Sequence, residues 1–175
     1  VYCGVDPASS LSKRADFFVI ATIAVDGDNK KYMLDCVQKR ISPAEQPNEI
    51  ISVYKKFRPK RMKIETVGYQ EALRQLMQEQ NLYIPGLERG VKPRNAKSER
   101  LLSLVPVFAK GDFYFRPEDL SAQQEFLSYP KGKHDDIMDA VWTALDGHKA
   151  CRVKKYEKSE EKSGIIKKIL DWKLM

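Results

Sequence analysis

The turn Asp26-Gly27-Asp28-Asn29-Lys30 narrows most sharply what this chain can fold into. It joins two β-rich runs, Asp16 to Val25 and Lys31 to Val37. An Asp-Gly pair accepts the backbone angles of a tight reversal, so the runs are predicted to close as a hairpin. A shorter buried run, Val1 to Asp6, comes just before and is broken by Pro7 and Ser9-Ser10. Three antiparallel strands are therefore expected at the start of a sheet.

Helical and strand signals then alternate. Ser42-Pro43-Ala44-Glu45 has capping-box spacing, although Pro47 blurs where that helix begins. Ile50, Ile51, Tyr54 and Phe57 form its apolar stripe, and Arg58-Pro59 ends it. Lys60 to Glu65 reads as a strand. Tyr69 to Gln80 reads as a helix with Ala72, Leu73, Leu76 and Met77 inward. Strand, crossover helix and strand in succession imply parallel pairing. Leu82-Tyr83-Ile84-Pro85 is expected to be a fifth strand. A helix from Lys97 or Ser98 to Val105 is disturbed by Pro106, and Gly111 to Pro117 contains a short β piece. Glu118 to Tyr129 make a helix carrying Leu120, Phe126 and Leu127, and a last helix follows Lys131-Gly132-Lys133. The fold class is α/β, a central mixed sheet flanked by helices.

With 175 residues and 42% hydrophobic content, the chain can bury one real core. Residues 1–148 read as that domain, and 149–175 as a charged tail. Ile165, Ile166, Ile169, Leu170 and Trp172 in the tail suit a short amphipathic helix. The net charge of +7 is compatible with a polyanionic partner. No apolar run reaches membrane-span length, and no charged-then-apolar leader opens the chain. Cys3, Cys36 and Cys151 are scattered and odd in number, as reduced thiols would be. Val1 already lies in a strand-like run, so the chain reads as part of a longer one.

Carboxylates recur where they are hardest to place. Asp6 closes one strand and Glu65 closes another. A charged group at the end of a buried strand is unfavourable unless it is paired, hydrogen-bonded or bound to metal. Lys133 to Trp142 then carries Asp135, Asp136 and Asp139 within five residues, at helical spacing, before the segment turns apolar. Acidic residues also favour a first helical turn because they oppose its dipole, so capping is the plain alternative. If the Asp6 and Glu65 strands are neighbours, all three sites can meet. Clustered carboxylates repel one another and suit hard cations such as Mg²⁺ or Mn²⁺. Two such ions can together promote phosphodiester hydrolysis. There is no zinc-type Cys-His spacing and no phosphate-binding Gly-Lys loop.

GVDPA at 4–8, IETVGYQ at 64–70 and HDDIMDA at 134–140, in that order, resemble the C-terminal nuclease domain of the large terminase subunits of tailed bacteriophages. The resemblance covers roughly residues 1–148. It implies an RNase H-like fold related to Holliday-junction resolvases. It also implies an endonuclease with little sequence preference that cuts concatemeric viral double-stranded DNA for packaging. An ATPase motor in the same parent chain, the portal and the small terminase subunit are the implied partners, in the cytoplasm of an infected bacterium. Carried over by position, the metal ligands are Asp6, Glu65 and aspartates of HDDIMDA. The resolvase-like D-x-x-D-A pattern matches Asp136 and Asp139, whereas a helix beginning at Asp135 would present Asp135 with Asp139. One of the three is expected to cap or face solvent, and His134 is a candidate accessory group.

Arg89, Lys92, Arg94, Lys97 and Arg100, with Lys131 and Lys133, are candidate phosphate contacts. Two other readings remain: a resolvase- or transposase-like nuclease of the same fold, and a non-catalytic module docking DNA or the portal.

Overall fold

The computed structural model describes residues 1–8, 17–65, 70–87 and 96–146. Strands β1 (Tyr2–Asp6), β2 (Phe18–Val25) and β3 (Lys31–Lys39) run antiparallel in succession. Helix α1 (Gln46–Phe57) crosses to β4 (Arg61–Ile64), which lies parallel to β1. Helices α2 (Gln70–Glu79), α3 (Lys97–Leu102) and α4 (Val105–Ala109) follow. The two-residue β5 (Phe113–Tyr114) pairs parallel with β3, and α5 (Leu120–Ser128) and α6 (Asp136–Leu145) close the described chain. The sheet order is β4-β1-β2-β3-β5.

The hairpin forms as its turn predicts, with Asp26 accepting the amides of Asp28 and Lys30 through its side chain. β2 lies inside the sheet, and Phe18 to Ile23 are all buried, because helices cover both faces. On one face Cys3, Val5, Ile20 and Ile64 pack with Ile50 and Val53 of α1 and Leu73 of α2. On the other, Val19, Ala21 and Ile23 pack with Ile137, Ala140, Val141 and Ala144 of α6.

Three details set where α6 lies. A Cβ on Gly4 would stand 2.0 Å from the Ala140 carbonyl oxygen and 2.3 Å from the Ala144 nitrogen. The helix backbone thus rests directly on β1, which only glycine permits. At the far end of α6, Lys63 holds the Asp146 carboxylate, and Arg61 donates to the Asp146 carbonyl at 2.7 Å. Because Lys63 and Arg61 lie on β4, the helix is tied at one end to the strand beside β1. Its first turn then comes over the carboxyl end of β1.

Two local expectations change. Leu82 to Pro85 form no strand. Pro85 has no amide to give a ladder; its carbonyl accepts one bond from Met62 N–H at 2.9 Å, and Gly86 then turns at φ +91°. The fifth strand is β5, on the opposite edge. The first crossover helix starts at Gln46, with Pro47 in its first turn, while Ser42 and Glu45 bond to each other in the turn before it. The tail from 149 onward lies outside the described residues.

Candidate metal centre

Parallel pairing of β1 with β4 places Val5 opposite Ile64, so the next residues, Asp6 and Glu65, leave the sheet side by side. Glu65 N–H donates to the Val5 carbonyl at 3.3 Å, which holds the two chain ends together. Asp136 and Asp139 come from the first turn of α6, and both side chains are nearly fully buried. Their effect is felt at Asp6. Burial first, then the charges of Asp139, Asp136 and Glu65, push its carboxyl well above the ordinary aspartate range. Burial and Asp139 also raise Glu65, although Arg100 pulls the other way. The three predicted carboxylate sites therefore share one electrostatic field, built from two strands and one helix.

Asp135 behaves differently. It occupies the N-cap position of α6 with φ −142° and ψ 16°, yet its side chain makes no capping bond. It is partly exposed and bonds Lys97 Nζ at 2.7 Å. Asp136 Oδ2 accepts the Phe17 amide at 3.2 Å, and His134 Nδ1 stands 3.7 Å from the same oxygen. His134 also meets the Phe17 ring edge-on. Of the three aspartates, Asp135 is the one turned towards solvent, and the other two face inward.

Two predicted phosphate contacts reach the carboxylates, Lys97 from an exposed position and Arg100 from a buried one. Lys97 Nζ lies 2.6 Å from Asp139 Oδ2 as well as beside Asp135. Burial opposes its charge, but the two carboxylates hold its ammonium well above the ordinary lysine range. Arg100, with a side chain only 8% exposed, approaches Glu65 Oε1 at 3.5 Å and Asp139 Oδ1 at 3.6 Å and lies over the Trp142 ring. A guanidinium at this depth is shielded from a phosphate backbone. Short helix α3 thus supplies the positive charge that four neighbouring acids require. Lys131 and Lys133 are exposed on the loop before α6. Arg89, Lys92 and Arg94 lie outside the described residues.

As they stand, no three His, Cys, Asp or Glu side chains among the described residues enclose a metal position. The donor chemistry nevertheless fits a hard cation. All the converging acidic side chains are oxygen donors. Asp139 Oδ1 is buried and accepts no hydrogen bond, and neither does buried Arg100 Nε have an acceptor. Asp139 Oδ1 has Arg100 Nη2 as an ion-pair neighbour at 3.6 Å, beyond hydrogen-bond reach, and coordination would supply the direct partner it lacks.

Glu125 was not foreseen as part of this region. It is a buried acid on α5 whose Oε1 accepts the Met138 amide, between Asp136 and Asp139, at 2.9 Å. The available signal was its helical spacing three residues after Ala122, on the face that packs against α6.

Comparison with known proteins identifies the family and the fold. The family model described as the terminase RNaseH-like domain matches residues 3–147. The chain belongs to that family. Among solved structures, the large terminase nuclease of thermophilic phage G20c with bound magnesium is 18% identical, with a TM-score of 0.57, over 85% of this chain and 82% of that one. The same nuclease is also known with bound zinc. The P22 large terminase nuclease domain is 18% identical, with a TM-score of 0.54, over 81% and 78%. The yeast mitochondrial Holliday junction resolvase is 15% identical, with a TM-score of 0.51, over 81% and 76%. These likenesses establish the RNase H-like fold. No curated protein matches in sequence.

Proposed function

We propose that this terminase-family domain is a metal-dependent endonuclease that cuts concatemeric viral double-stranded DNA during genome packaging. The observation that carries the reading is the meeting of Asp6, Glu65, Asp136 and Asp139 from β1, β4 and α6, with a buried oxygen of Asp139 left without a hydrogen bond. Asp6, Glu65, Asp136 and Asp139 would hold two Mg²⁺ or Mn²⁺ ions, with Asp135 at the margin. Bound ions would supply an activated water and neutralise the leaving oxygen of the phosphodiester.

The chain's own groups define the remaining steps. Rigid strand ends fix Asp6 and Glu65. Asp136 is held by the Phe17 amide. Lys97 must withdraw from Asp139 for ions to enter, and its ammonium is then available to a DNA phosphate. Lys131 and Lys133, with Arg89, Lys92 and Arg94, would contact the DNA backbone without reading bases, as packaging requires. An ATPase motor, the portal and the small terminase subunit would bring the DNA, in the cytoplasm of an infected bacterium.

Plasmid nicking with Mn²⁺ tests the reading. The wild type should convert supercoiled DNA, and Asp6→Asn should lose at least about a hundredfold, as expected on losing a metal ligand. Equal cutting by both proteins rejects the ligand assignment. Preference for a four-way junction over linear duplex would redirect the reading to a resolvase. The fold shared with the yeast resolvase makes that comparison worth including.

A further inference from the structure

The amino end of a helix leaves several amides without partners, and aspartate is among the residues that best satisfy them from the N-cap position. Helix α6 has Asp135 in that position, yet the Asp135 side chain turns away to Lys97 at 2.7 Å. The acceptor comes instead from another element. Glu125 of α5, 7% exposed, takes the Met138 amide at 2.9 Å.

As a simple cap this would be a poor solution. It buries a carboxyl group close to Asp136 and Asp135, whose charges disfavour a third one nearby. What the arrangement achieves is orientation. Met138 lies between Asp136 and Asp139, so a bond to its amide fixes the rotation of the turn that carries both. Gly4 against Ala140 fixes the height of α6 over β1, and Lys63 with Arg61 fixes its far end. The Phe17 amide and Lys97 hold side chains of the first turn, but Glu125 is what holds its backbone at Met138.

We propose that Glu125 is a positioning residue for the metal-binding turn: by capping α6 from α5 it sets the direction of Asp136 and Asp139 and releases Asp135 from capping. The proposal rests on the metal reading above. A cleft of about 280 Å³ lined by Phe17, Gln38, Gln124, Glu125, Lys133 and His134 opens beside this contact. The cap is therefore reachable by solvent from the side of His134.

Three variants test the proposal by Mn²⁺ titration calorimetry, steady-state nicking and amide hydrogen exchange. Glu125→Ala should weaken Mn²⁺ binding about tenfold and lower kcat while leaving KM for DNA near wild type, in the range seen when partners of metal ligands are removed. Exchange at Ile137 and Met138 should speed up in the metal-free protein. Glu125→Gln keeps an oxygen acceptor in place and should retain Mn²⁺ affinity within about threefold. Glu125→Asp, shorter by one methylene, preserves the charge and should fall between the two, which keeps the test decisive if the alanine variant fails to fold. A loss of thermal stability with Mn²⁺ affinity and kcat unchanged would show a structural role only and overturn the proposal. A wild-type chain that binds no Mn²⁺ would bring down the metal reading itself, and the proposal with it.

Discussion

Asp6 is the residue in which folding and chemistry are most opposed. Its carboxyl is held above the normal range by burial and by three neighbouring acids, so ionising it destabilises the metal-free fold. Asp6→Asn should therefore raise stability by about 1–2 kcal/mol in EDTA at pH 8, even as it abolishes cutting. A urea titration showing no gain would mean that the four acids repel less than their placement implies. Glu125 gives a pH signature. Burial, aided by Asp136 and Asp135, lifts it to about 7 in the folded chain, against an ordinary value of 4.5, and the amides of Met138 and Ile137 pull the other way. Between those values the folded state holds the extra proton, so its contribution to stability is fully present below about 4.5 and lost as pH rises towards about 7. Glu125→Gln lacks this dependence. Its stability relative to wild type should thus rise by up to about 3 kcal/mol from pH 4.5 to 8 in EDTA. Parallel stability curves for the two proteins across that window would contradict the assignment.

Among the elements, α6 decides whether a site exists. Its approach depends on Gly4, where a methyl group would fall 2.0 Å from the Ala140 carbonyl. Gly4→Ala should destabilise the fold by about 3 kcal/mol or more, since helix backbone has no rotamer by which to give way. Calorimetry on any folded fraction should also show weaker Mn²⁺ binding as the helix lifts off β1. Full stability with native Mn²⁺ affinity would show that α6 is held elsewhere. Helix α5 illustrates why element faces are hard to read from one sequence. Phe126 packs into the core, but Leu120 and Leu127 are exposed, while Ala122 and Glu125 are buried. Apolar periodicity assumes that a helix buries what water rejects. Here packing against α6 selects a small side chain and an acceptor instead. Helix α3 likewise turns its lysine and arginine onto the carboxylates, because four clustered acids outweigh the preference of cations for water.

At the scale of the whole molecule, ion binding should couple directly to folding, because the proposed ligands come from β1, the end of β4 and α6 and meet only in the folded chain. Mn²⁺ at about a hundred times its Kd should stabilise the wild type by about 2.7 kcal/mol, seen as a rise in Tm, and Asp6→Asn should lose most of it. An unchanged wild-type Tm at saturating Mn²⁺ would count against a site formed by folding. The hairpin turn, the strand-closing positions of Asp6 and Glu65 and the acidic head of the last helix were legible in the sequence because each is local: a turn pair, a β-run ending in a charge, a helical spacing. Those signals were enough to identify the fold class and to name the carboxylates that meet. The sequence left two readings of which aspartate turns away. That depended on Glu125 taking the cap from Asp135, on Lys97 and Arg100 entering among the acids, and on Gly4 letting the helix down onto the sheet. Each is a contact between residues far apart in the chain, fixed by burial and charge in three dimensions and leaving no periodic trace in one.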